Sequence, residues 1–200
     1  MSKLPKEYNG IMVEGASEKA IMDLLINNNK LIFPFSSIIQ SSDGTTVQDY
    51  LNELDYANNF LSHGFNKPVN IHVVLDSTNR KFKKLESNRL ISTVRYYITR
   101  EEIEAIHLYK HTEWLEGYMT FKNNKSNRKG GSKQIKPSTF FKQELGIKNI
   151  KTYDYIYKLW EDDIDGLIKA IDNVKTDMAK RQKLKSGQNY LADIIKHDYQ

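Results

Sequence analysis

The run Val69-Asn70-Ile71-His72-Val73-Val74-Leu75, halted by Asp76, constrains this chain most. Its Val73-Val74-Leu75 end is apolar without alternation. Such a strand needs cover on both faces, as in a parallel sheet held between helices. Two further strands are expected, Tyr8 to Val13, stopped by Gly15, and Val94-Arg95-Tyr96-Tyr97-Ile98. Leu31-Ile32-Phe33 and Ser37-Ile38-Ile39-Gln40 also read as strand-like pieces, broken by Pro34.

Helical spacing fills the intervals. Ser17 is a cap for Ala20, Ile21, Leu24 and Leu25, and Asn27-Asn28-Asn29 ends that helix. Thr45 or Thr46 caps a second helix with Val47, Tyr50, Leu51, Leu54, Ala57 and Leu61, closed by His63-Gly64. Ser77 to Asn88 is a polar, basic loop with a short helix. Thr99 caps a helix from Arg100 through Ile103, Ile106, His107, Tyr109 and Trp114. Strands alternating with helices predict an α/β fold, Rossmann-like, with a mostly parallel sheet flanked by helices.

Charge and composition divide the chain further. Residues 1–120 carry 13 Lys/Arg and 15 Asp/Glu, whereas residues 121–200 carry 17 and 10. Lys122 to Lys136 holds six basic residues, adjacent glycines and almost nothing apolar, which predicts a surface loop. The expected division is an α/β metal-binding domain over 1–120, a basic flexible loop over 121–136, and an α-helical C-terminal extension over 137–200. In the extension Ile164, Leu167, Ile168, Ile171, Val174 and Met178 form one apolar face, and Leu191, Ile194 and Ile195 a last short helix. The absence of cysteine excludes disulfides, thiolate metal sites and a cysteine nucleophile. No apolar run reaches the ~18–20 residues of a membrane span. The expectation is a soluble, cytoplasmic protein without a membrane partner.

Chemistry concentrates where strands end. In open α/β sheets ligands bind beyond the carboxyl ends of the strands. Glu14 follows the strand Tyr8 to Val13, Asp76 the run Val69 to Leu75, and Glu101, Glu102 and Glu104 the strand ending at Ile98. Glu18 lies one helical turn after Glu14. Carboxylates gathered at one edge repel one another unless a cation neutralises them, and Mg²⁺ or Mn²⁺ suits such oxygen ligands. Acids in a first helical turn also complement the helix dipole, a plainer reading that fits Glu101, Glu102 and Glu104 well.

Val13-Glu14-Gly15 opening a β-α unit, with a later apolar strand ending in Asp76, resembles the Toprim fold over about residues 8–116. The Glu14…Glu18 spacing is similar to the nuclease domains of overcoming-lysogenisation-defect proteins. The resemblance implies a Toprim-like, divalent-metal-dependent nuclease of nucleic-acid processing or defence against mobile DNA. Glu14, Asp76 and Glu18 would be catalytic and metal-holding, and Glu102 or Glu104 would complete an auxiliary metal position. Toprim domains carry Asp-x-Asp at the second motif, but this chain has Asp76-Ser77-Thr78. That departure supports an alternative, a catalytically weakened nucleic-acid-binding or protein-interaction module. The lack of an identifiable topoisomerase tyrosine or primase zinc motif supports it too.

Cations supply the expected grip on DNA or RNA. Arg80, Lys81, Lys83, Lys84 and Arg89 follow Asp76, and Arg80 suits bidentate phosphate contact. Lys122, Lys125, Arg128, Lys129, Lys133 and Lys136 would hold phosphates without reading sequence. His107 and His111 stand at zinc-ligand spacing, but no third strong ligand is visible, so packing is the expected role. Tyr153, Tyr155, Tyr157 and Trp160 adjoin Ile156 and Leu159 and are expected to pack the C-terminal part onto the domain. The C-terminal helices are the candidate surface for a homodimer or a partner protein.

Overall fold

The computed structural model describes residues 5–62, 64–76, 78–99, 103–128, 135–181 and 183–197. Five strands form one all-parallel sheet: β1 (Tyr8–Val13), β2 (Val47–Gln48), β3 (Val69–Leu75), β4 (Ile91–Ile98) and β5 (Gln188–Tyr190). Their order is β2-β1-β3-β4-β5. Central β3 is buried at all seven positions, as its unbroken apolar run requires. Pairing Val13 with Val74 and Leu75 with Ile98 brings the carboxyl ends of β1, β3 and β4 to one edge.

Period-two alternation assigns the two faces. Ile11, Val13, Val74 and Tyr97 point into a core shared with α1 (Ala16–Asn27), α6 (Tyr153–Trp160) and α7 (Ile164–Arg181). Met12, Ile71, Val73, Leu75, Tyr96 and Ile98 meet α2 (Glu53–Phe60) and α3 (Lys83–Glu86) on the other face. A third cluster joins α4 (Thr112–Arg128) to α5 (Pro137–Gln143) through Phe121, Phe140 and Phe141. The expected α1 stripe Ala20, Ile21, Leu24 and Leu25 is fully buried. On α7, Leu167, Ile171 and Met178 are buried and Ile164, Ile168 and Val174 pack beside the core.

The core holds one polar chain across three strands. His72 Nδ1 lies 3.1 Å from the Tyr97 hydroxyl, and Nε2 lies 3.0 Å from Asn9 Oδ1. Asn9 Nδ2 donates to Ser37 Oγ at 3.0 Å, and Ser37 Oγ donates to the Pro34 carbonyl at 2.7 Å. Every donor finds an acceptor when Nε2 carries the imidazole proton and Tyr97 donates to Nδ1. Burial, reinforced by the charge of Arg95, pushes His72 down to about 3, so the ring is neutral.

Several local expectations are corrected. Val47 opens strand β2 opposite Ile11, not a helix, and neither Thr45 nor Thr46 is the cap. Asn52 caps α2 instead, its Oδ1 accepting the N–H groups of Leu54 and Asp55 at 3.0 and 3.3 Å. The 3–4 spacing through Tyr50 and Leu54 is coincidental, since both are exposed. Leu31 and Ile38 make only isolated bridges, to Ile195 and Asn9, and Phe35–Ser37 is a 3-10 turn. Pro34 lacks the N–H that a continuous strand there would use.

Ile103–Tyr109 is a 3-10 helix, and α4 begins afresh at Thr112, while Arg100 lies outside the described residues. The expected basic loop is helical through Arg128, because a charged segment needs no apolar face when it prolongs a nucleated helix. The C-terminal segment is not helical alone: it supplies β5, which pairs with β4 through Tyr96 and Gln188. Its Trp160 is fully buried and donates its indole N–H to His107 Nδ1 at 3.0 Å. His111 packs edge-on against Trp114 with centroids 4.5 Å apart. Among the described residues no helix is long and apolar enough to cross a membrane.

Candidate metal and phosphate site

Glu14 is the first residue beyond β1, and its side chain crosses to the neighbouring strand end. Its Oε2 accepts the backbone N–H of Asp76 at 2.9 Å. Glu14 is half-buried and Asp76 exposed, so the pair opens to solvent at the carboxyl edge. The Glu14 carboxyl is raised above its ordinary range, chiefly by burial. The Asp76 N–H pulls it down, while the Asp76 charge and a hydrogen bond between the two carboxyl groups push it up. The charge of Arg80 acts in the opposite sense, favouring the anion.

Glu18 stands in the first turn of α1 and is only 8% exposed. Burial pushes it up to about 7, with Glu104, Glu14 and Asp76 adding to the rise and its own backbone N–H opposing it. Three other carboxylates therefore act on Glu18. Glu104, 2% exposed in the 3-10 helix, pairs with Lys151 Nζ at 3.4 Å. The Lys151 carbonyl also accepts the Ser17 hydroxyl at 3.2 Å, which docks the α5–α6 connection on the start of α1. Ser17 is thus spent on this contact and does not cap its helix; Gly15 occupies the cap position without a side-chain bond. Lys151 was not foreseen, as it sits in an unmarked linker with no motif around it.

The cations after Asp76 divide by role. Arg80 donates through Nη2 to the Leu51 carbonyl at 2.9 Å, and its guanidinium lies 5.2 Å from the Phe82 ring centroid. Lys81, Lys83, Lys84 and Arg89 are exposed. The start of α3 is held from α2, where Glu53 Oε1 accepts the N–H groups of Lys84 and Leu85 at 2.9 and 3.2 Å. Thr78, standing where a second aspartate was expected, gives its carbonyl to Gln188 Nε2 at 2.8 Å. Lys125 and Arg128 fall in the last turns of α4, where only the backbone is described. Glu101, Glu102, Lys129 and Lys133 lie outside the described residues.

Among the described residues, no three His, Asp or Glu side chains converge as a metal-holding group. The Glu14–Asp76 pair alone fits a cation that keeps most of its waters and takes one or two carboxylates. The Asp76 charge raises the Glu14 carboxyl, a repulsion that a bound cation would relieve. No family model matches the chain, and no curated protein or solved structure is significantly similar to it.

Proposed function

We propose that the chain is a divalent-metal-dependent nuclease, a Toprim-like enzyme that hydrolyses phosphodiester bonds in DNA or RNA. One observation carries this reading: Glu14 and Asp76 meet at the carboxyl edge of a parallel sheet, with the buried Glu18 carboxyl under the influence of both and Arg80 acting on Glu14. Glu14 and Asp76 would hold Mg²⁺ or Mn²⁺. A cation held there would supply Lewis acidity and would lower the pKa of a bound water.

The remaining roles belong to this chain's own groups. Glu18 titrates near neutrality and holds or releases a proton at its carboxyl, the property of a general acid or base at working pH. Burial is the main reason that Glu18 holds its proton up to about neutrality, and the charge of Glu104, paired with Lys151, adds to that effect. Arg80 is fixed at Leu51 and offers its remaining N–H groups to a phosphate. Exposed Lys81, Lys83 and Lys84 attract the backbone, and Lys125, Arg128, Lys129 and Lys133 extend that grip. Glu102 remains the sequence-based candidate for an auxiliary ligand.

The test is cleavage of single- and double-stranded DNA and RNA with Mg²⁺ or Mn²⁺, joined to calorimetric titration of Mn²⁺. Wild-type cleavage and Mn²⁺ binding, both lost in Glu14→Ala and Asp76→Ala, are expected. Cleavage indifferent to both substitutions, or none by the wild type, overturns the proposal. A second reading is a binding module with weakened chemistry. Thr78 at the second motif favours it, and so does the lack of a three-ligand group among the described residues. Nucleic-acid binding without cleavage is its signature.

A further inference from the structure

A surface cavity of about 370 Å³ lies between β2, the start of α1 and α2, and the carboxylate site does not use it. Ile11 pairs with Val47 and Met12 with Gln48, so β1 and β2 leave the sheet side by side. Glu14 stands two residues beyond Met12 and Tyr50 two beyond Gln48, and paired strands lie about 4.8 Å apart. Arg80 joins the two places, since it acts on Glu14 and bonds the carbonyl of Leu51, the neighbour of Tyr50.

The cavity wall is built to hold Tyr50 in place. Gln48 is buried, and its Nε2 donates to the carbonyls of Tyr50 at 2.7 Å and Asn52 at 3.2 Å. The Asn52 N–H closes the turn on the Tyr50 carbonyl at 3.2 Å. Tyr50 is nevertheless 44% exposed, a large aromatic side chain on a pinned backbone. Pinning cuts the ordering cost that a ligand would otherwise meet.

The charges at the cavity disfavour an anion. Lys19 is paired with Asp23 at 2.9 Å, and Asp43 and Asp49 line the same space. Asp43 accepts from the Ser41 hydroxyl and the Thr45 N–H, bonds that keep it ionised. A phosphate belongs on the Arg80 side, outside the cavity. The exposed Tyr50 ring, with Ser41 and Asn59 as polar groups in the same lining, suits an uncharged aromatic ring that carries hydrogen-bonding groups. The volume falls within the ~300–1,000 Å³ of small-ligand sites.

We propose that this cavity receives an unpaired nucleobase of the substrate, stacked on Tyr50, while that strand's phosphate lies at Arg80 and the Glu14–Asp76 pair. The proposal rests on the nucleic-acid reading above and narrows its substrate to single strands. A base-paired duplex offers no free base to the cavity.

The experiment is fluorescence anisotropy of the full chain against labelled single-stranded DNA and RNA of about 12 nucleotides, and against the matching duplex. It is run in Ca²⁺, which also takes oxygen ligands. Single strands are expected to bind more tightly than duplex. Stacking on one aromatic sets the loss in Tyr50→Ala at roughly 5- to 150-fold for single strands, with duplex binding unchanged. Tyr50→Phe, which keeps the ring, should bind as the wild type does. The base site is overturned if Tyr50→Ala leaves single-strand binding intact, or weakens single strand and duplex alike. Equal affinity of the wild type for both, or no single-strand binding, overturns it as well. The two proposals fail separately. Glu14-dependent cleavage without a Tyr50 effect removes only the base site, whereas Tyr50-dependent binding without cleavage removes only the nuclease.

Discussion

Replacing Glu18 with Gln should stabilise the fold above neutral pH, at the expense of the proposed chemistry. In the folded chain Glu18 is raised from 4.5 to about 7 by burial and by the charges of Glu104, Glu14 and Asp76. The native state therefore holds a proton over a range where the unfolded chain has released it. Stability contributed by the protonated carboxyl is complete below the unfolded value and is lost as pH climbs from about 4.5 through about 7. At about 1.4 kcal/mol per pKa unit, ionising Glu18 costs on the order of 3 kcal/mol at about pH 8.

His72 and His107 oppose this trend, because both are lowered to about 3 by burial and lose stability when pH falls below about 6.5. The informative quantity is thus the difference between wild type and Glu18→Gln, in which the histidine contributions cancel. Urea unfolding followed by tryptophan fluorescence, in EDTA at steps from about pH 5 to about pH 8, gives that difference directly. It should be small at the acid end and grow to about 3 kcal/mol in favour of the variant. A difference that stays flat, or one that favours the wild type increasingly as pH rises, would refute the electrostatic account of the cluster. Mg²⁺ added to the wild type should offset part of the loss, since a ligand held by the native state alone stabilises it.

Other perturbations read other parts of the structure. A Cβ on Gly10 would stand 2.0 Å from the Tyr56 hydroxyl and 2.9 Å from Ile71 Cδ1, so Gly10→Ala should cost about 3 kcal/mol or abolish soluble expression. An unchanged urea midpoint would show that Tyr56 can withdraw. His72→Leu strands Asn9 Oδ1 and the Tyr97 hydroxyl in the core and should cost about 2–4 kcal/mol by urea unfolding; a neutral result would mean that the polar chain is not needed for stability. Exchanging Lys81, Lys83 and Lys84 together for Ser should weaken DNA or RNA binding evenly across sequences and flatten its salt dependence. The slope should fall by up to about three phosphate contacts, and an unaltered slope would remove these lysines from the interface.

Much of the sheet was legible because its residues satisfy only one arrangement. The run from Val69 to Leu75 admits no solvent on either face, and β1 and β4 repeat that demand more weakly. The acids Glu14 and Asp76 were legible as residues that follow such strands. β2 and β5 were not, because two or three residues carry too little periodicity to identify a strand. Val47 is recognisable only by its partner Ile11, and Gln188 only by Tyr96. Lys151 and Ser17 illustrate the same limit, since their contact joins positions 134 residues apart in the chain.

The sequence by itself determined the parallel α/β class and the edge at which the acids gather. Both follow from patterns within single segments: an unbroken apolar run, a carboxylate at its end, a helical period after it. Tertiary structure alone decided the electrostatics. Glu18 is an ordinary first-turn glutamate until the fold buries it, brings the charge of Glu104 to bear on it and docks Lys151 on Ser17. Glu14 acquires its partner only because β1 and β3 are adjacent, which lets one carboxylate accept the backbone N–H that carries the other. Proton affinity depends on burial and on charges a few ångströms away, and neither is a property of any one stretch of chain.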